Sequence, residues 1–221
     1  MPPSTAFTLD DLARRGITAL LFDMDGVLAD TSELHLQAWL LLAERVGLGS
    51  LAAASVRAMF GQVNDTIIPQ LFGAQADVAQ LGSDKERLYR ELARGKLTPY
   101  RHVDRALRAA RRRGFQLAIG TSAPIENVRF LLAELALEDA FDRLVDRSQF
   151  ARGKPAPDVF LEAARQLRVA PGCCAVFEDS LHGLAAARAA QMLVVGVAGT
   201  HEPATLARHA DLIVCDFLAI C

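Results

Sequence analysis

Five short runs of this chain are apolar almost without a break: Ile17 to Phe22, Phe115 to Gly120, Cys173 to Phe177, Leu193 to Val197 and Leu212 to Val214. A strand with one face in water alternates apolar and polar residues. Unbroken apolar runs of this length point instead to strands covered on both faces, as in a parallel sheet. Between several of them lie amphipathic stretches, Val103 to Arg113, Ile125 to Leu135, Pro157 to Leu167 and Leu181 to Ala190. Strand–helix alternation of this kind predicts an α/β fold, a doubly wound, mostly parallel Rossmann-like sheet. One segment breaks the rhythm. Residues 33–96 carry helical patterns without a strand, too long a stretch for a simple crossover. It is expected to form an inserted all-helical cap on an α/β core built from residues 1–32 and 97–221.

Composition narrows the partners. With 221 residues and a formal net charge of −2, the chain offers no electrostatic argument for nucleic acid or an anionic membrane as a partner. Its basic cluster, Arg111-Arg112-Arg113, precedes Gly114, as cations do at the end of a helix that glycine closes. Cys173, Cys174, Cys215 and Cys221 form no C-x-x-C pair, so reduced thiols in a cytoplasmic protein are expected. No apolar run reaches the ~20 residues that span a bilayer. Met1-Pro2-Pro3-Ser4 lacks the basic and apolar regions of an export signal. A monomer or weak dimer is expected.

In an open parallel sheet, ligands bind beyond the carboxyl ends of the strands. Three predicted strands end there in polar residues: Asp23-Met24-Asp25-Gly26, Thr121-Ser122 and Glu178-Asp179-Ser180, while Lys154 stands in a loop before a helix. Each has a structural reading, as a turn, a helix cap or a solvated lysine. Together they suit phosphoryl transfer. A carboxylate can attack phosphorus and divide hydrolysis into two easier steps. Both partners are anionic, so attack needs a cation, and carboxylate oxygens suit Mg²⁺. Lysine and hydroxyl groups neutralise the transferring oxygens. A second carboxyl group can protonate the leaving group and then deprotonate water, and clustered negative charge is expected to raise its pKa for that double role.

The run Phe22-Asp23-Met24-Asp25-Gly26-Val27-Leu28-Ala29-Asp30 resembles the first motif of the haloacid dehalogenase superfamily. Thr121 matches the second motif, Lys154 in Gly-Lys-Pro-Ala-Pro-Asp the third, and Glu178-Asp179-Ser180 with Gly183 the fourth. The resemblance covers essentially the whole chain and places the helical insertion where the helical-cap subclass carries it. It implies that Asp23 is nucleophile and metal ligand, and that Asp25 is the general acid/base and binds metal through its backbone carbonyl. Thr121 and Lys154 would hold phosphoryl oxygens with Ser122 nearby, Asp179 would complete a Mg²⁺ site, and Glu178 would be a ligand or the partner of one. Dehalogenation needs neither Asp25 nor a metal, so it fits less well.

Within the superfamily the chain looks most like β-phosphoglucomutase and related sugar-phosphate phosphatases. Asp30-Thr31, His35 and Trp39 stand where those proteins begin the cap, and Lys85 and Tyr89 resemble a cap lysine and tyrosine of the acid/base network. Gly61 is retained, but Asn64 replaces the arginine that holds a second phosphate, and Ala123-Pro124 replaces a serine and lysine. Arg101-His102 replaces the usual Pro-Gly at the second hinge. These departures favour a phosphatase acting on a small phosphorylated metabolite over a phosphohexomutase. A phospho-accepting signalling receiver combines similar residues but has no helical insertion after its first strand.

Overall fold

The computed structural model describes residues 7–221, so the Met1–Ser4 stretch lies outside the described residues. Six strands form one parallel sheet in the order β3-β2-β1-β4-β5-β6. They are β1 (Ala19–Phe22), β2 (Gln116–Gly120), β3 (Arg143–Val145), β4 (Cys174–Glu178), β5 (Leu193–Val197) and β6 (Leu212–Val214). Helix α1 (Leu9–Arg14) precedes β1, its first turn closed by a reciprocal Thr8–Asp11 capping box. Four helices, α2 (Ser32–Arg45), α3 (Ala53–Arg57), α4 (Asn64–Phe72) and α5 (Val78–Ala93), follow β1 as the insertion. The core resumes with α6 (Val103–Arg112), α7 (Ile125–Glu134), α8 (Asp158–Leu167), α9 (Leu181–Ala189) and α10 (Pro203–Leu206).

The unbroken apolar runs have the expected cause. Leu20, Phe22, Leu117, Ile119, Ala175 and Phe177 pack with α1, α6 and α7 on one face. Ala19, Leu21, Ala118, Cys174 and Val176 pack with α8 and α9 on the other. Phe22 and Phe177, neighbours across the β1–β4 register, stack at 4.7 Å between ring centroids. The insertion has its own apolar centre, in which Trp39, Leu42, Ile68, Leu88 and Tyr89 are buried.

One strand departs from the sequence reading. β3 was not expected, because Arg143-Leu144-Val145 is short and only Val145 is fully buried. An edge strand has a neighbour on one side only, here β2, and so needs no continuous apolar run.

The chain crosses between the two layers twice, and the crossings are joined. The Tyr100 amide donates to the Leu28 carbonyl at 2.7 Å, and Ala29 pairs antiparallel with Pro99. His102 occupies the left-handed region at φ 58°, where glycine is the usual residue, and its Nδ1 lies 2.7 Å from Asp216 Oδ1. The second hinge is thus tied to the C-terminal segment.

Because Phe177 is buried on the central strand pair, Phe177→Ala should cost about 3–5 kcal/mol of unfolding free energy, read as a lowered urea midpoint with unchanged slope. A loss below about 1 kcal/mol would mean that the sheet centre is not the stabilising core.

Candidate active site

The strand order reverses between β1 and β4, because the chain leaves β1 for one side of the sheet and later returns to build the other. At such a switch point the loops diverge and open a crevice at the carboxyl edge. Asp23 follows β1 and Glu178-Asp179 end β4, so they converge there, and the Asp23 amide donates to the Phe177 carbonyl at 2.9 Å. Two glycines make the approach possible. A Cβ on Gly26, which sits at φ +79°, would lie 2.0 Å from Asp179 Oδ2, and one on Gly183 would lie 1.6 Å from Glu178 Oε1.

Lys154 reaches this cluster from its loop. Its Nζ donates to Asp23 Oδ1 and Glu178 Oε1, both at 2.7 Å, with all three side chains buried. The second oxygen of Glu178 accepts from the Ser180 amide at 2.7 Å and hydroxyl at 3.0 Å, and Thr200 donates to Asp179. Burial pushes Asp23 up to about 7; Lys154 opposes that rise, while Glu178 and Asp25 add to it. Burial and the charges of Glu178 and Asp23 hold Asp179 well above the usual carboxylate range. Burial also disfavours charge on Lys154, but Asp23 and Glu178 outweigh it and keep the ammonium protonated. Three buried carboxylates thus lie around one ammonium, which bonds two of them. Asp23, Glu178 and Asp179 each offer an oxygen within 4.8 Å of the others, an all-oxygen donor set that fits a hard divalent cation. The Asp25 carboxylate is not part of this cluster.

Asp25 faces the helical layer instead. Its Oδ1 accepts from Thr31 Oγ1 at 2.6 Å and lies 3.2 Å from His35 Nε2. Lys85 Nζ lies 2.8 Å from His35 Nδ1. An ammonium can only donate, so Nδ1 accepts and the imidazole proton sits on Nε2, facing Asp25. These contacts overturn the expected rise in the Asp25 pKa. Burial works in that direction, but His35, Thr31 and Lys85 outweigh it and hold the carboxyl below its usual range. Tyr89 also departs from expectation. Its ring stacks on His35 at 3.9 Å, while its buried hydroxyl makes no hydrogen bond to the described residues.

Asp23, Asp25, Thr31, His35, Lys85 and Lys154 line a cavity of about 90 Å³ between the layers, a size suited to a small ester. Thr121, Ser122, Trp39, Gly61 and Asn64 line it too. Several are already engaged. The Ser122 hydroxyl donates to the Gly61 carbonyl at 3.1 Å, Thr121 Oγ1 accepts from the Ala123 amide at 3.1 Å, and Trp39 lies under Lys85 Nζ at 5.1 Å. Asn64 Nδ2 donates to Glu86 Oε1 at 2.8 Å. Sequence reasoning missed Glu86, Arg90, Asn127 and Thr200. For Glu86 a signal existed, since Lys85-Glu86 puts two charges among the buried positions Gly82, Leu88 and Tyr89 of an amphipathic helix.

A profile of haloacid dehalogenase-like hydrolases matches residues 17–191. The β-phosphoglucomutase of Bacillus subtilis is 32% identical over 205 residues, covering 89% of this chain and 88% of its own. A fructose-1-phosphate phosphatase of Escherichia coli is 35% identical over 181 residues, covering 80% of this chain and 95% of its own. Among solved structures, a β-phosphoglucomutase of Clostridium difficile superposes with a TM-score of 0.80 at 25% identity, over 91% of this chain and 92% of that one.

The buried charge imbalance predicts a pH dependence in protein kept free of divalent cations. Native Asp23 keeps its proton to about pH 7, whereas the unfolded chain releases it near its ordinary value of about 4. The native state therefore binds more protons in that window, and the urea midpoint should fall as pH rises through it. Asp23→Asn should flatten the slope, and an unchanged slope in that variant would remove Asp23 as its source.

Proposed function

The chain belongs to the haloacid dehalogenase-like hydrolase family, and on that premise we propose that it is a magnesium-dependent phosphatase. Its substrate is a small phosphate monoester, a sugar phosphate or similar metabolite, hydrolysed through a phosphorylated Asp23. The observation that carries this reading is the juxtaposition, in one cavity, of Asp23, held by Lys154, with Asp25, held by His35. A nucleophile and an acid/base thus share one small cavity while belonging to separate hydrogen-bonded groups.

In the first step an Asp23 oxygen attacks phosphorus and the bond to the ester oxygen breaks. Asp25 hands the departing oxygen a proton that reaches it from His35 Nε2, while Lys85 Nζ supplies one to His35 Nδ1, so Asp25 ends the step as a carboxylate. In the second step Asp25, now a carboxylate, takes a proton from water as that water attacks phosphorus, releasing phosphate and free Asp23. The water's proton returns along the same line. Lys154, Thr121 and Ser122 hold the phosphoryl oxygens. A magnesium ion would be held by Asp23, Asp179 and the Asp25 backbone carbonyl, with Glu178 bordering the site. When bound it supplies the positive charge that lets one anion approach another.

In this reading the core comprises residues 1–32 and 97–221, and the cap, residues 33–96, closes over the site to exclude water and select the substrate. Hydrolysis is favoured over mutase chemistry by the cavity's far wall. The basic side chains lining the cavity are Lys154, Lys85 and His35, and each is engaged, while Asn64 is bonded to Glu86. A bisphosphate must bind in two orientations and needs a second cationic site.

Asp23→Asn should lower turnover by at least about a thousandfold without changing the fold, because an amide is a poor nucleophile. Wild-type rates in a pure sample would exclude Asp23 from the mechanism. Activity should vanish with EDTA, return with Mg²⁺ and be opposed by Ca²⁺, whose looser coordination misplaces the reacting groups. Full activity in metal-free buffer would count against the magnesium assignment. β-Glucose 1-phosphate offered with Mg²⁺ should give inorganic phosphate; accumulation of glucose 6-phosphate would establish a mutase instead.

A further inference from the structure

The proton line to Asp25 does not end at Lys85. Lys85 Nζ also donates to Glu86 Oε1 at 3.0 Å, beside the bond from Asn64. The other Glu86 oxygen, Oε2, accepts from Asn127 Nδ2 at 2.6 Å. Asn127 lies on α7 of the core and is fully buried, whereas Lys85 and Glu86 belong to α5 of the cap. Its remaining amide atom, Oδ1, accepts from Arg90 NH1 of the same cap helix at 2.6 Å. Glu86 only accepts and Arg90 only donates, so one orientation of the Asn127 amide satisfies both.

We infer that Asn127 is a positioning residue that couples cap closure to proton transfer at Asp25, acting through Glu86 on Lys85. The inference rests on the phosphatase reading and concerns how its acid/base is made ready. Glu86 has two ways to satisfy a buried charge: the cap's own Lys85 and Asn64, and the core's Asn127. With the cap closed all three bonds form, which fixes the Glu86 carboxylate and turns the Lys85 ammonium toward His35. With the cap lifted from α7, Glu86 loses its core partner and can swing, and Lys85 loses the fixed acceptor that aims it. Burial disfavours the charged form of Glu86, but Lys85, His35 and the bond from Asn64 outweigh it, so the carboxylate is ionised and available for this role. Proton supply to the leaving group is then strongest when the cap is closed and bulk water is kept from the ester.

The test compares fructose 1-phosphate, whose leaving oxygen needs a proton, with 4-nitrophenyl phosphate, whose leaving group departs unprotonated. Asn127→Ala should lower kcat for fructose 1-phosphate about tenfold with little change in KM, and lower kcat for the activated ester less than about threefold. In a Lys85→Ala background the same substitution should cost less than about twofold, since the residue it acts through is gone. Arg90→Met, which removes one bond to Asn127 from the cap's edge, should show the same split at about threefold and serves if Asn127→Ala does not fold. Equal losses on both substrates, or undiminished losses in the Lys85→Ala background, would overturn the inference. Wild-type protein inactive on both esters would instead refute the phosphatase reading and this inference with it.

Discussion

Burying a carboxylate costs several kcal/mol unless charge and hydrogen bonds compensate it. Asp23, Glu178 and Asp179 are all buried within reach of a single ammonium, and much of the architecture serves to keep them there. The parallel sheet supplies the positions, since β1 and β4 are neighbours whose carboxyl ends lie level. Gly26 and Gly183 supply the space, and Ser180 occupies the oxygen of Glu178 that Lys154 leaves free. Such an arrangement is poorly suited to maximal stability, and a negative surplus of this kind is what a metal-assisted site requires. The same surplus repels an anion and favours a cation among these oxygens.

A second polar group lies above it with the opposite balance. His35, Lys85, Glu86, Asn64 and Asn127 share their hydrogen bonds closely, and Asp25 joins them from below. The two carboxylates of the Asp23-Met24-Asp25 loop thus answer to different surroundings, one held by the core lysine and one by the cap histidine. Their pKa values are pushed in opposite directions, Asp23 up by burial and Asp25 down by His35, Thr31 and Lys85.

Much of this was legible in the sequence, for identifiable reasons. Continuous apolar runs revealed the parallel sheet because burial on both faces leaves no polar alternation, and the strand-end rule then drew Asp23, Thr121 and Glu178-Asp179 to one edge. β3 escaped because an edge strand obeys a weaker rule. The Asp25 environment was misjudged because His35 and Lys85 are 10 and 60 positions away along the chain, and local composition near Asp25 shows only acids. The Glu86–Asn127 contact spans 41 positions and depends on how the cap sits on the core, which no local period encodes. Asn127 alone resembles any polar residue in the first turn of a helix.

The joined crossings between the layers bear on how such a contact can be made repeatedly. Two independent linkers would let the cap tilt, slide and twist, and each return to the core would be a fresh search. With Tyr100 bonded to Leu28 and Ala29 paired with Pro99, the linkers form a short two-stranded ribbon. A ribbon bends readily across its plane and resists shear within it. Tied in this way, the two crossings reach the helical layer as one unit, the layer whose His35 meets Asp25 and whose Glu86 meets Asn127.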